Sequence, residues 1–290
     1  MKPRYIHFGS FNIEHFGRHD DNPNNVFALS EHIEMSGVSV LALQEVYVTE
    51  RGADGRLVNS FLDQIIALMR DHTDQEWRYE IFPNRNAGDN SQLCGLMWNS
   101  SRVEKEGETL RIPVPNSAPD AASPTALSLW DRHPHAIRFR ARSGTGEPVA
   151  LTDFVMVPLH MKSNVGQRHI VMRTRFHEAR TLVEALPGIR THFGEEDIIL
   201  LGDTNCKKRS EDAIQAFIDG GFEDLNEDDT PTYYSGTDAP FDRIFVPRGR
   251  RAFLFSRQYI LRSASPLAHD RYLSDHYMVK ASIVVRRDDD

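Results

Sequence analysis

Four large apolar residues stand in a row at Ile198-Ile199-Leu200-Leu201, followed by Gly202-Asp203-Thr204-Asn205-Cys206. A short unbroken apolar run of this kind predicts a strand buried on both faces. Related patterns recur along the chain. Tyr5–Phe11 alternates and predicts a strand with Asn12 at its end, and a polar loop follows over Asp20–Asn25. Val26, Leu29 and Ile33 keep helical spacing until Gly37, and Val38–Leu43 predicts a second buried strand that ends in Gln44-Glu45. Val58, Phe61, Leu62, Ile65, Ile66 and Met69 predict an amphipathic helix over 58–70. Strands are predicted at Arg78–Phe82 and Leu93–Trp98, joined by a polar loop over Pro83–Gln92.

The second half of the chain continues the alternation of strands and helices. Strands are predicted at Ala136–Arg140 and Val149–Leu159, the latter running into His160-Met161-Lys162-Ser163. Phe176, Ala179, Leu182, Val183 and Leu186 predict a helix that Pro187-Gly188 should end. Ala213, Ile214, Phe217 and Ile218 predict a short helix closed by Gly220-Gly221. The last strands are Phe241–Val246 and Tyr277–Val285, the second preceded by Ser274-Asp275-His276, and a frayed tail is expected at Asp288–Asp290. Residues 104–134 carry prolines at 113, 115, 119, 124 and 134 and few apolar runs. They are expected to form a surface insertion within one domain spanning 1–290.

The polar residues collect where the strands begin or end: Asn12, Glu45, His160, Asp203 with Asn205, Asp242, and Asp275 with His276. Asp203 and Asn205 are two apart, which in extended backbone puts them on one side. Strands separated by helices, with polar groups at their ends, describe an α/β sheet with one active edge. Carboxylates and amides without thiolates suit a hard cation such as Mg²⁺, held by few protein ligands and several waters. A histidine beside a carboxylate suits proton transfer near neutral pH. Together they describe metal-assisted attack of water on a phosphate ester.

Composition narrows this reading. Among 290 residues, 42 acids against 34 Lys plus Arg give a net charge of −8. That excludes binding to nucleic acid by bulk charge, though not a local basic strip. Cys94 and Cys206 are too few for a disulfide framework or a thiolate metal site. No apolar run reaches membrane-spanning length, and Met1–Ser10 lacks the apolar core of a signal peptide. A cytoplasmic protein with no transmembrane segment and no obligate protein partner is expected.

The segments FNIE (11–14), LQE (43–45), LHMKS (159–163), GDTN (202–205), FDRIFV (241–246) and SDHY (274–277) occur in that order. This set resembles the endonuclease/exonuclease/phosphatase superfamily, which includes deoxyribonuclease I, abasic-site endonucleases, neutral sphingomyelinases and inositol polyphosphate 5-phosphatases. The resemblance implies a four-layered sandwich: two mostly antiparallel β-sheets face to face, with helices outside, in place of a single α/β sheet. It also implies Glu45 as principal ligand of Mg²⁺ (with Mn²⁺ or Ca²⁺ as substitutes), with Asn12 and Asp275 near the same ion. By the same resemblance Asp203 orients or deprotonates the attacking water, Asn205 holds the scissile phosphate, and Asp242–His276 forms a catalytic couple. His160 matches the position where deoxyribonuclease I-type enzymes keep a second histidine. Arg132, in Arg132-His133-Pro134, resembles a family Arg-x-Pro that approaches substrate phosphate.

Three departures concern the substrate rather than the chemistry. Thr204 replaces the usual aromatic between Asp and Asn. Val46-Tyr47 follows Glu45 where deoxyribonuclease I places an arginine. His160 lacks a clear acidic partner, Asn84 lying near where one would fall. Lys162, Arg168, Arg173 and Arg175 follow the His160 motif, and Lys207-Lys208-Arg209 follow Asn205. These clusters make a nuclease acting on DNA or RNA the leading expectation. A phosphomonoesterase or phospholipid phosphodiesterase comes second, and a non-catalytic binding module third.

Overall fold

The two-faced apolar runs become the inner strands of two six-stranded sheets in a computed structural model. It describes residues 4–18, 25–84, 91–120, 122, 124–142, 152–234 and 238–286. Most of the polar loop at Asp20–Asn25, much of that at Pro83–Gln92, the start of the Val149–Leu159 strand and the Asp288–Asp290 tail lie outside the described residues.

In chain order the first half holds β1 (Arg4–Phe16), α1 (Val26–Ser36), β2 (Val40–Val46), β3 (Glu50–Arg51), β4 (Leu57–Val58), α2 (Ser60–Thr73), β5 (Trp77–Ile81), β6 (Leu93–Asn99) and β7 (Val103–Arg111). There follow β8 (Ser117–Ala118), β9 (Leu127–Ser128), β10 (His135–Ala141), β11 (Asp153–His160), α3 (Arg168–Phe193), β12 (Ile198–Asp203), α4 (Asp212–Asp219), β13 (Phe222–Asp224), β14 (Asp242–Pro247), β15 (Tyr259–Leu261), α5 (Pro266–Tyr272) and β16 (Met278–Val285).

The first sheet runs β15-β16-β1-β2-β6-β5 and the second β13-β14-β12-β11-β10-β7. Neighbours are antiparallel except β1 with β2 and β11 with β12. The single α/β sheet read from the pattern alone is therefore corrected to two sheets, as the family resemblance implied. Alternation explains the layering. Ile199 and Leu201 face inward with Met156, Ile137 and Phe139, against Phe8, Val40, Ala42 and Val279 of the first sheet. Ile198 and Leu200 face outward against Leu182, Leu186 and Ile189 of α3 and Ile214 and Phe217 of α4. Leu41 and Leu43 pack outward on Leu29 and Ile33 of α1 and Leu62, Ile65 and Met69 of α2. Burying a Val, Leu, Ile, Phe or Met of this kind contributes about 1.5–3 kcal/mol, so the four layers hold by apolar contact along the inner strands.

Two expectations change. Part of the 104–134 stretch is β7, pairing with β10 at the edge of the second sheet, and Ile112, Val114, Leu127, Leu129 and Trp130 join the outer core. The strand was hidden because its side chains, Glu104, Lys105, Glu106 and Glu108, are the charges that protect an open edge. Nor does Pro187 end its helix: α3 continues to Phe193, because Ile189 and Phe193 bury against the second sheet beyond it. Tertiary packing there outweighs the lost backbone bond. Among the described residues, no helix is long and apolar enough to cross a membrane.

The helix caps also brace the strand ends. Buried Asn59 caps α2, accepting the N–H groups of Phe61 and Leu62 at 3.0 Å each. Its Nδ2 donates to the carbonyls of Phe16 (3.1 Å) and Tyr47 (2.8 Å), just past the polar ends of β1 and β2.

Candidate functional site

Three of the polar residues stand side by side in the second sheet. His160 pairs with Asp203 in the parallel ladder, and Asp203 faces Asp242 in the antiparallel one. Gly202 (φ +148) makes this close approach possible, since a Cβ there would overlap the carbonyl of Leu159. Asn205 lies in left-handed backbone at φ +55 and donates its N–H to Asp203 Oδ1 at 2.8 Å, which turns the chain away. Asn205 Nδ2 reaches the Met161 carbonyl at 3.3 Å, and Asn164 Nδ2 donates to the Asn205 carbonyl at 3.1 Å.

The first sheet meets this row through two bulges. Register breaks between Asn12 and Phe16 in β1 and between Leu43 and Val46 in β2, with Glu14, His15 and Glu45 all at positive φ. A bulge re-aims side chains that regular alternation would send to opposite faces. Here it brings the Glu45 carboxylate to the His15 N–H (3.2 Å) and His15 Nδ1 (3.1 Å). Asn12 Nδ2 then spans the two sheets, 3.3 Å from Glu45 Oε1 and 3.1 Å from Asp203 Oδ2, while its Oδ1 accepts the Glu14 N–H at 3.1 Å. From the segment leading into β16, Ser274 Oγ donates to the Asn12 carbonyl at 2.6 Å, and the Asp275 N–H meets Glu14 Oε2 at 3.3 Å.

His276 completes the cleft. Its Nδ1 is 2.8 Å from Asp242 Oδ2, an oxygen that also accepts the Thr232 hydroxyl at 2.7 Å. The rings of Tyr233 (centroid distance 4.9 Å) and Phe241 (6.2 Å) pack on the imidazole, and His269 Nε2 lies 2.9 Å from the His276 carbonyl. Burial opposes a charge on His276, yet Asp242, with Asp203 and Asp275 beyond it, carries its pKa up to about 10. Burial pushes Asp203 up to about 6 and Asp275 up to about 7; for Asp275, Glu14 and Glu45 add repulsion that His276 only partly offsets. Burial and the nearby Arg132 hold His160 well below its ordinary pKa, so it stays neutral, 3.7 Å from Asp203 Oδ2. Among the described residues, His160 Nδ1 is buried with no hydrogen-bond partner.

The basic residues divide. Lys207 lines the cleft with Asn205, Asn164 and the exposed Val165, and Lys208 flanks the adjoining cavity. Neither is in an ion pair among the described residues. Arg132 donates to the Met161 carbonyl at 2.6 Å and shares Gln92 as a neighbour with the cleft. Lys162 is turned to Asp131 (3.2 Å) and Arg173 to Asp120 (2.9 Å). Arg175 is buried, pairing with Glu211 at 3.0 Å. Thr232, His269, His15 and Gln92 escaped the sequence reading, since a loop threonine or an isolated histidine carries no spacing signal.

Among the described residues, no group of three or more His, Cys, Asp or Glu side chains stands close enough to hold a metal ion by itself. The oxygen donors that converge are the carboxylates of Glu45 and Asp275, with Asn12 between Glu45 and Asp203.

No curated protein matches the sequence. Among solved structures, a Bacteroides thetaiotaomicron endonuclease/exonuclease/phosphatase family protein superposes with a TM-score of 0.62 at 16% identity, covering 98% of this chain and 99% of that one. D. rerio TDP2 complexed with a single strand DNA product gives 0.57 at 15% identity, over 96% of this chain and 98% of that one. A Bacteroides thetaiotaomicron mannosyl-6-phosphatase gives 0.58 at 15% identity, over 96% and 99%. At these identities the likeness concerns the fold. The sequence itself matches the model of the Endonuclease/Exonuclease/phosphatase family over residues 9–276, and with its strand-end constellation in place the chain belongs to that family of phosphate-ester hydrolases.

Proposed function

We propose that the chain is a Mg²⁺-dependent phosphodiesterase and that its substrate is a nucleic acid. One observation carries the chemistry: a buried carboxyl raised to about 6, Asp203, shares a cleft with an imidazole raised to about 10, His276. A base near neutrality beside a fixed positive charge suits removal of a proton from water during attack on an anionic phosphate. Asp203 takes that proton. His276 meets the charge that develops on phosphate oxygen, and Asp242 keeps its ring oriented and charged. Asn205 has one amide hydrogen left after its bond to Met161 and offers it to phosphate.

The donor set fits a hard divalent cation. Asp275 is pushed up by burial and by the neighbouring Glu14, Glu45 and Asp203, a repulsion that a cation relieves. Glu45 and Asp275 would hold the ion, with Asn12 bracing Glu45 against Asp203. An ion held there supplies Lewis-acid polarisation of the phosphate.

Lys207 and Lys208 beside the cleft, unpaired among the described residues, with the Tyr233 and Phe241 rings in its wall, favour a polymer with phosphates and bases on either side of the scissile bond. A second reading, a phosphomonoesterase, is favoured by the pairing of Lys162 and Arg173, which shortens the expected basic track. Among structural neighbours one is complexed with a single strand DNA product and another is a mannosyl-6-phosphatase, so both substrate classes occur on this architecture. A substrate panel with and without Mg²⁺ separates them: plasmid, single strand, abasic duplex, RNA, inositol phosphates and sphingomyelin. Turnover of nucleic acid that EDTA abolishes is expected. Turnover of phosphomonoesters alone overturns the nuclease reading.

A further inference from the structure

Helix α3 runs behind the second sheet, and one charged residue on its buried face touches nothing in the cleft. Glu178 is 1% exposed and sits beside Ala179 and Leu182, which belong to the apolar core. Its two carboxylate oxygens are divided between two distant segments: Oε1 accepts the N–H of Trp130 at 2.9 Å, and Oε2 accepts the N–H of Lys162 at 2.9 Å. Burial pushes its pKa up to about 7 even with both bonds in place. A carboxyl kept in an apolar setting is costly unless its hydrogen bonds do something a leucine could not.

Both segments lead into the cleft. Trp130 is held in left-handed backbone (φ +55), a rare state for a bulky residue. Its indole Nε1–H donates to Thr181 Oγ1 at 3.0 Å, and that hydroxyl donates to the Glu178 carbonyl at 3.0 Å. One turn of α3 thus fixes both the ring and the backbone of Trp130. Two residues later Arg132 bonds the Met161 carbonyl, which also accepts Asn205 Nδ2. Met161 lies between His160 and Lys162, so its carbonyl joins Arg132, Asn205 and the end of β11 at one oxygen.

We propose that Glu178 is a positioning residue: by holding the Trp130 and Lys162 N–H groups together, it sets where Arg132 stands relative to the end of β11 and so the geometry of phosphate binding. This rests on the reading of Arg132 as a phosphate contact. Without Glu178 the 130–132 and 160–162 segments keep the Arg132–Met161 bond and the Asp131–Lys162 pair but lose their buried tie, and the guanidinium is less firmly held beside the cleft. The reacting groups Asp203, Asp242 and His276 keep all their own bonds.

The test compares Arg132→Ala, Glu178→Ala, Glu178→Gln and the Arg132→Ala/Glu178→Ala double variant in the Mg²⁺-supplemented protein. Bis(4-nitrophenyl) phosphate serves as substrate and inorganic phosphate as competitive inhibitor, with Tm measured alongside. Arg132→Ala should raise KM and the inhibition constant of phosphate together, by roughly tenfold for one lost charged contact. Glu178→Ala should raise both by a similar factor with kcat within about threefold, and Glu178→Gln, which keeps one acceptor, should recover part of the loss. The double variant should be no worse than Arg132→Ala alone. A lowered Tm with unchanged KM and inhibition constant, or additive losses in the double variant, overturns the proposal. Should Glu178→Ala fail to fold, the same cycle runs with Glu178→Gln. If Arg132→Ala itself leaves both constants unchanged, the phosphate role of Arg132 is what fails, whatever Glu178 does.

Discussion

His276 Nδ1 lies 2.8 Å from Asp242 Oδ2, although His276 sits two residues before β16 of one sheet and Asp242 at the start of β14 in the other. The pair exists only when the two sheets are docked. Thr232 fixes the carboxylate from behind, donating its hydroxyl to Oδ2 and accepting the Asp242 N–H at 2.9 Å.

Such a pair is expected to act as a unit. Asp242→Asn and His276→Ala should each slow turnover by roughly 10²–10⁴-fold, and the double change should cost little more than either. Thr232→Val, which leaves the pair intact but unbraced, should cost less. Additive losses in the measured kcat would falsify a shared role.

Glu45 is expected to be the main ligand of a divalent cation. Glu45→Gln removes one ligand charge and almost no volume, so cooperative thermal unfolding should persist. Binding of Mn²⁺, followed by calorimetry or by paramagnetic relaxation of water, should weaken by at least about tenfold. Unchanged Mn²⁺ affinity would move the ion elsewhere in the cleft.

The basic residues should differ in weight because only some of them are unpaired. Neutralising Lys207 and Lys208 should weaken binding to single-stranded nucleic acid and flatten the log affinity–log salt slope by up to roughly one unit per phosphate contact. Neutralising Lys162 and Arg173, already paired with Asp131 and Asp120, should change the slope little and cost some stability. The reverse ranking in a salt titration would mean that the pairs open to receive substrate.

Acid stability offers a check away from the cleft. His135 stacks on Phe82 at 4.9 Å, and burial pushes it down to about 4. The unfolded chain takes up this proton near 6.5, whereas the fold stays neutral until about 4. Stability present above pH 6.5 is therefore lost as pH falls from 6.5 toward 4, by no more than about 3 kcal/mol from this group. His135→Gln should show a shallower fall across that window in urea midpoints. An identical slope would assign the acid lability to other groups.

The gathering of polar side chains was legible because they lie at strand ends, where an apolar run followed by Gly202-Asp203 or by Gln44-Glu45 marks the change of environment. Pairing was less legible. Ile198–Leu201 signals burial on both faces, but nothing in that run says whether the second face meets a helix or another sheet. β7 was hidden by its own protective charges, and Pro187 misled because the apolar contacts of Ile189 and Phe193 lie beyond it. Thr232 and Glu178 carry no local signature. A loop threonine and a helix glutamate look solvated until distant segments place an Asp242 carboxylate or a Trp130 N–H against them.

The bond from Ser274 Oγ to the Asn12 carbonyl spans 262 positions, and β1 is flanked by β16, its antiparallel partner from Arg4↔Val285 to Ser10↔Val279. A nascent chain still lacking residues 274–285 leaves one edge of β1 bare and places no imidazole against Asp242. The Asp242–His276 pair therefore cannot form gradually as the polypeptide emerges from the ribosome. It arrives only with the segment that leads into β16, after a wait in which β1 presents a bare edge open to wrong pairing.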